Sequence, residues 1–363
     1  MSPEQLIVAS VLLPLISAVL VVACRQRPNL RETVTLVSGG LLLATVGLLV
    51  GSVDTRPAIN LVDVIPGSID QSAIAIGFHV EPLGLLFALV ASGLWIATSV
   101  YSIGYMRSHG EQHQTRFYVC FAIAIAAVMG IAFARNLLTL FLFYEVLTLS
   151  TYPLVTHHGT EAAKRAGRTY LGILMGTSIV GLLLAILWTW QLAGTLEFKP
   201  GGILDGHVDP LTAGLLLALF AFGTGKAALM PLHRWLPAAM VAPTPVSALL
   251  HAVAVVKAGV FTILKVGVYI FGTDLLSRGG SSVWLMYVAG GTLLTASLVA
   301  LTRDNLKERL AYSTISQLAY IVLGISLATE SGVIGSGMHI VMHAFGKITL
   351  FFCAGAILIG AHK

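Results

Sequence analysis

Apolar residues along the chain fall into runs of about 18 or more, separated by short polar stretches. Runs of this length are typical of helices that cross a membrane. The pattern predicts about eleven crossings, provided that a short piece at 235–248 belongs to the seventh. The predicted segments are 5–23, 34–53, 82–105, 117–134, 136–156, 169–190, 211–230, 235–248, 249–271, 283–301, 310–327 and 336–360. We therefore expect an all-α polytopic membrane protein, with residues 54–81 forming an external cover.

Composition and charge placement support this class. Hydrophobic residues make up 56% of the chain, charged residues 10%, and the mean hydropathy is +0.89. Most arginines and lysines lie in alternate loops, which predicts an amino terminus outside the cell inner (cytoplasmic) membrane. The net charge of +5 is then a signal of topology, and we expect no nucleic-acid partner. The 3 cysteines lie in or at the ends of predicted spans and indicate no disulfide framework.

Residues 223–259 depart from an ordinary membrane span. Proline inside a helix removes a backbone donor and clashes with the preceding turn, so the seventh helix is predicted to be broken. A broken backbone at membrane depth is tolerated where protein or a watery cavity covers it, as in transporters. The stretch contains the prolines Pro231, Pro237, Pro243 and Pro245 and the ionisable residues Lys226, His251 and Lys257.

Glu145 lies near the middle of the fifth predicted span and is the only carboxylate within any of them. An acid at that depth costs several kcal/mol unless it is paired or protonated, so a functional role is the first hypothesis. A stabilising ion pair with a buried cation is the alternative. If Lys226 lies nearby, the two would form a coupled titrating pair.

The eighth span carries three basic residues. His251 and Lys257 are about 9 Å apart along a helix, so a proton passing between them needs water or a polar side chain. Lys265 lies two turns further on, where it either snorkels to the outer interface or joins a relay.

The last span places His339, His343 and Lys347 at intervals of four residues, on one helix face. A metal site is the alternative to a proton relay. It is disfavoured because a charged lysine is a poor ligand and no cysteine or carboxylate shares the face, so we expect no metal. Ser313, Thr314, Ser316 and Gln317 of the tenth span either hold waters or bond to neighbouring helices.

Cofactor motifs do not appear. Gly223 to Lys226 reads GTGK, but a phosphate loop requires a leading glycine where Phe220 stands and a serine or threonine where Ala227 stands. There is no CxxCH, no cysteine cluster and no GxGxxG that opens a helix after a strand, so we expect no cofactor. These absences disfavour a quinone- or hydride-handling enzyme and leave enzymatic activity uncertain.

Four stretches carry a family resemblance over roughly residues 80–360. They are GTGKAALMPLHRWLPAAMVAPTPVSALLHA followed by VKAG, FLFYEVLTLSTYPLV, DNLKERLAYSTISQLAY and HIVMHAFGK. The chain resembles the antiporter-like, proton-translocating subunits shared by respiratory complex I, membrane-bound hydrogenases and Mrp-type cation/proton antiporters. FYEVLTLSTYPLV followed by THHGTEAAKRAG is most similar to the D-type Mrp subunits.

The resemblance implies a role for each buried group. Glu145 and Lys226 would be the coupled pair, Lys257 the connecting lysine, and His339, His343 and Lys347 the path to a second half-channel. It also implies partner membrane subunits, with protons and Na⁺ as the candidate ions. A non-conducting structural subunit of a complex I- or hydrogenase-like assembly is the alternative.

The same resemblance implies a partial inverted repeat. Residues 1–105 would be amino-terminal scaffold helices, 117–271 a first five-helix unit and 283–363 an incomplete second unit. Members of the family continue through about three further helices, including a second broken helix. We therefore expect either that the sequence is a fragment or that a partner completes the exit path.

Overall fold

The chain folds into α-helices along most of its length. The computed structural model describes residues 1–67 and 72–361, without the side chains of His251, Gly279 and Ala361. Its helices are α1 Pro3–Ala23, α2 Pro28–Leu49, α3 Pro82–Ser108, α4 Gln114–Ala132, α5 Leu137–Val155, α6 Glu161–Thr177, α7 Leu183–Ala193, α8 Pro210–Gly223, α9 Trp235–Ala238, α10 Thr244–Ala248, α11 Val255–Val266, α12 Thr273–Ser277, α13 Val283–Leu301, α14 Leu306–Ser326 and α15 Glu330–Ala361.

Within residues 1–67 and 72–361, eight helical segments are long and apolar enough to cross a membrane. The segments are Pro3–Ala23, Pro28–Ser52, Pro82–Ser108, Gln114–Ala132, Leu137–Val155, Glu161–Ala193, Val283–Leu301 and Glu330–Gly360. The other three predicted crossings correspond to α8 with the turns and short helices that follow it, to α11 with the π-helical turns on either side of it, and to α14. The prediction of an all-α polytopic membrane protein is confirmed.

Helix starts follow local sequence signals. Pro28, Pro82 and Pro210 occupy the first turns of their helices, where the missing N–H costs nothing. The Asn136 side chain accepts from the N–H of Thr139 and so caps α5. Several helices begin earlier than the apolar pattern predicts: α2 begins at Pro28 instead of residue 34, and α6 at Glu161 instead of residue 169.

The helices run between two ends of the bundle. We call the end with loops 24–27, 109–113, 156–160 and 302–305 the basic end, because most arginines lie in these loops or in the helix ends beside them. The opposite end carries an antiparallel hairpin of β1 (Ala58–Ile65) and β2 (Ile74–His79), and we call it the hairpin end. The stretch predicted as a cover thus contains a two-stranded sheet, and residues 68–71 within it lie outside the described part of the chain.

The seventh crossing breaks before its prolines. Regular helix stops at Gly223, and Lys226 follows in a 3₁₀ turn, Gly225–Ala227, five residues before Pro231. The indole N–H of Trp235 donates to the Gly225 carbonyl at 3.0 Å and so satisfies a backbone group that the break frees. The break therefore depends on this refolded turn as well as on the prolines.

Two glycines, Gly223 and Gly259, allow neighbouring backbones to approach closely at the break. A Cβ on Gly223 would lie 2.6 Å from the carbonyl carbon of Gly181, which belongs to a π-helical turn, Ser178–Leu182, between α6 and α7. A Cβ on Gly259 of α11 would lie 2.8 Å from the Lys226 carbonyl oxygen. The sixth crossing thus packs closely against the seventh at Gly181.

Glu145 is not the only carboxylate that the protein buries, which corrects the sequence interpretation. Glu32 in α2 contacts both Arg31 and Arg107 at the basic end. Glu81, just before α3, lies at the hairpin end and is 3% exposed. Both residues fall outside the predicted spans by only one or two positions, so span boundaries alone could not reveal them.

The three predicted units share one core. Helix α15 packs against α3, α10 and α11, and α1 packs against α4. The division at residues 1–105, 117–271 and 283–363 stays a prediction.

We expect Gly223→Ala to destabilise the protein by about 1–3 kcal/mol, because its methyl group would overlap the Gly181 backbone. Gly176→Ala is the matched control, since its Cβ would meet nothing within 4 Å. Thermal unfolding of both variants in detergent measures the difference. Equal unfolding temperatures would contradict the role of this crossing.

Candidate functional site

Lys226 lies fully buried in the broken seventh crossing. Its Nζ donates to the Tyr144 carbonyl oxygen at 2.9 Å and to Thr148 Oγ1 at 2.6 Å. The ammonium also lies 3.1 Å from the centroid of the Tyr144 ring. Helix α5 therefore holds this cation with a carbonyl, a hydroxyl and an aromatic face, all of them neutral.

Glu145 follows Tyr144 on α5, the residue whose carbonyl and ring hold Lys226. Both carboxylate oxygens are buried, and neither has a hydrogen-bond partner among the described residues. Within residues 1–67 and 72–361, no cation lies within ion-pairing distance of Glu145. The alternative of a stabilising ion pair for Glu145 therefore has no support in the described part of the chain.

Lys257 and His343 form the most direct link in the candidate relay. Lys257 is fully buried in α11, and its Nζ is hydrogen-bonded to Nδ1 of His343 in α15. The bond joins α11 to α15. His251 lies in the π-helical turn Leu249–Val253, and its side chain is outside the described part.

The three residues predicted to share a face of α15 do so. The His339 and His343 rings are stacked with centroids 6.0 Å apart. Lys347 Nζ donates to Ser313 Oγ at 2.8 Å and to the Leu310 carbonyl at 3.3 Å. Ser313 thus bonds to a neighbouring helix, which was one of the two expectations for it.

A cavity of about 310 Å³ lies beside this face. It is lined by Ser313, Gln317, His339, Met342, His343, Gly346, Lys347 and Leu350. The basic side chains of α15 therefore meet open space on one side of the bundle.

Lys265 does not snorkel to the interface. It is fully buried, forms an ion pair with Glu81 at 2.8 Å, and donates to the Ala134 carbonyl at 2.9 Å. The Phe198 ring lies 4.6 Å from its Nζ. Sequence reasoning missed Glu81; the available signal was an acid directly before Pro82 at the edge of a span.

His79 lies near this pair at the end of β2. Burial, together with the positive charges of Lys265, Arg135 and Arg56, lowers the pKa of His79 to about 2. The imidazole is therefore neutral at physiological pH, and the Lys265–Glu81 pair has no titrating histidine at that position.

Three hydroxyls of the broken region are buried with no hydrogen-bond partner among the described residues. They belong to Thr224, Thr244 and Ser247. Buried polar groups in proteins are nearly always satisfied, commonly by ordered water. Ordered water is therefore the expected partner of these hydroxyls. No group of three histidine, cysteine or acidic side chains in the described chain could hold a metal ion.

Two family models match the sequence. One, described as NADH:quinone oxidoreductase/Mrp antiporter, TM, matches residues 134–363, and one described as NADH-Ubiquinone oxidoreductase (complex I), chain 5 N-terminus, matches residues 68–118. The stretch that contains all seven candidate site residues therefore falls within the first match.

Curated relatives agree with this match. The chain is 32% identical over 301 residues to the chloroplastic NAD(P)H-quinone oxidoreductase subunit 5 of Adiantum capillus-veneris, covering 80% of this chain and 39% of the relative. It is 32% identical over 296 residues to NADH-quinone oxidoreductase subunit L of Escherichia coli (strain K12), covering 79% and 46%. The chain thus spans less than half the length of these two relatives.

Two solved structures share the fold. A chain of the Mrp complex from Dietzia sp. DQ12-45-1b superposes with a TM-score of 0.82 at 25% identity, covering 99% of this chain and 38% of that one. A chain of the membrane-bound sulfane sulfur reductase, an archaeal respiratory membrane complex, gives 0.82 at 24% identity, covering 98% and 72%. The D-type subgroup stays a prediction. Because one family model matches more than half of its residues, the chain belongs to the NADH:quinone oxidoreductase/Mrp antiporter membrane family.

Proposed function

We propose that this chain translocates protons as a subunit of a larger assembly in the cell inner membrane. The carriers would be Glu145, Lys226, His251, Lys257, His339, His343 and Lys347. The observation that carries the proposal is the hydrogen bond between Lys257 and His343. It connects α11, which follows the broken seventh crossing, to the row of basic side chains on α15.

The partners of these lysines support a transport role. Burying an ammonium is costly, and a protein that needs only stability pairs it with a carboxylate, as Glu81 does for Lys265. Lys226, Lys257 and Lys347 instead have carbonyl, hydroxyl and imidazole partners. Such a lysine can release its proton without leaving a partner carboxylate unpaired.

A path follows from these contacts. Protons enter from the basic end, on the inside if the amino terminus lies outside, and reach Lys226 through water held at the free hydroxyls. Movement of Glu145 relative to Lys226 changes how strongly Lys226 holds its proton. The proton then passes by water to Lys257, directly to His343, and on to Lys347. One charge crossing 100 mV corresponds to about 2.3 kcal/mol, which is within reach of such rearrangements.

Partner subunits would supply the energy and the rest of the path. Relatives of this chain are named as parts of NADH-quinone oxidoreductase and of an Mrp complex. Coupling is therefore either redox-driven pumping or cation/proton antiport, with Na⁺ as the candidate cation. The open cavity beside His339 and Lys347 is where further protein would continue the path.

We expect Lys226→Ala to lower proton flux by about a hundredfold or more, the scale on which removal of a positioned proton carrier acts. The measurement is flux in liposomes that contain the purified parent assembly. Lys199→Ala removes an exposed lysine and is the matched control. Normal flux in the Lys226 variant, with assembly intact, would contradict the scheme.

His343→Gln tests whether protons pass from Lys257 on α11 to the basic side chains of α15. Glutamine keeps an acceptor for Lys257 but cannot titrate, so we expect an assembled protein whose flux is close to background. His109→Gln, at an exposed position of the basic end, should behave as the wild type. Retention of flux by the His343 variant would show that the bond to Lys257 is structural.

We infer that the Lys265–Glu81 pair anchors the hairpin end and carries no proton. Lys265→Met should destabilise the protein by about 3–5 kcal/mol, because it leaves Glu81 buried and unpaired. The double variant Glu81→Leu, Lys265→Met should recover most of that loss in thermal unfolding. If the double variant is stable but its flux is lost, the pair belongs to the path.

A further inference from the structure

A basic cavity opens at the basic end, on the side of the bundle away from the candidate relay. Its volume is about 840 Å³, and it lies between the start of α2 and the adjoining ends of α3 and α4. It is lined by Arg27, Pro28, Asn29, Leu30, Arg107 and Gln114. The proton path makes no use of it.

The cavity carries excess positive charge. Arg107 contacts Glu32, and the same carboxylate lies 3.4 Å from Arg31 behind it. With Arg27 there are three guanidinium groups and one carboxylate, which leaves two positive charges. The Arg107 side chain remains 49% exposed, and Arg27 is exposed.

The first turn of α2 adds backbone donors. Arg27 precedes the helix, no side chain caps it, and Pro28 occupies its first turn. The N–H groups at a helix start have no partner within the helix, and the helix dipole favours an anion there. Arg27, Arg107 and the first residues of α2 therefore line the same cavity, which is suited to a phosphate.

Apolar surface continues directly from the cavity. Leu30, Val37 and Leu41 lie on one exposed face of α2, and on α3 the exposed positions Ala97, Val100 and Gly104 lead to Arg107. Leu30 to Leu41 spans about 16 Å, which is about half of the ~30 Å hydrocarbon core of a bilayer. The face has the length of one leaflet.

We propose that this cavity binds the phosphate of an anionic phospholipid, whose acyl chains lie along the exposed faces of α2 and α3. The charge selects an anionic headgroup over a zwitterionic one, and the apolar face selects a lipid over free phosphate. Bound there, the lipid bridges the starts of α2 and α4 and the end of α3, and so stabilises the amino-terminal helices. The proposal does not depend on proton transport.

Native mass spectrometry and thermal unfolding of the full chain in detergent test the proposal. Dioleoyl phosphatidylglycerol should be retained and should raise the unfolding temperature, whereas dioleoyl phosphatidylcholine and inorganic phosphate should do neither. Arg27→Gln should weaken phosphatidylglycerol binding by about five- to tenfold. Arg25→Gln, with the same charge change two residues earlier and outside the cavity, should bind as the wild type.

Four results would overturn it. Equal weakening by Arg25→Gln and Arg27→Gln would mean diffuse surface charge. Equal retention of phosphatidylcholine would mean nonselective lipid contact, and stabilisation by inorganic phosphate alone would mean a free-anion site. If no lipid is retained, the cavity does not bind a phospholipid and is instead a candidate contact surface for a partner subunit.

Discussion

The arrangement of this protein depends on a lysine ammonium held deep in an apolar bundle by neutral groups. Lys226 can occupy that position because the seventh crossing stops being a regular helix at Gly223, and the freed backbone is satisfied locally by Trp235. The backbone of Gly181 packs against that of Gly223, and the backbone of Gly259 packs against that of Lys226. Backbone geometry thus sets where the charge lies, and α5 provides the carbonyl and hydroxyl that receive it.

Two kinds of buried cation follow from this arrangement. Lys265 has a carboxylate partner, two backbone carbonyls and an aromatic ring. Lys257 shares a hydrogen bond with an imidazole, and Lys347 bonds to a hydroxyl and a carbonyl. We propose that this difference in partners separates a structural anchor at the hairpin end from a row of groups that carry protons.

Much of this could be read from the sequence. Apolar runs gave the crossings, and the spacing of four residues placed His339, His343 and Lys347 on one face of α15. The pairing of Lys257 with His343 could not be foreseen, because it depends on how α11 packs against α15 and no local pattern encodes that. Glu81 was missed because it lies one residue before a predicted span. The break was expected at the prolines, but it begins ahead of them because Gly223 allows a backbone crossing there.

The central claim is that Lys226 changes its charge under the influence of Glu145. Nitrogen-15 NMR of the Lys226 side chain in the reconstituted assembly, followed as the pH is varied, tests it most directly. We expect a transition between ammonium and amine whose midpoint moves when Glu145 is replaced by glutamine. The proposal would be contradicted if Lys226 kept a single charge state at every pH at which the assembly is active. It would also be contradicted if the Glu145 substitution left the midpoint unchanged.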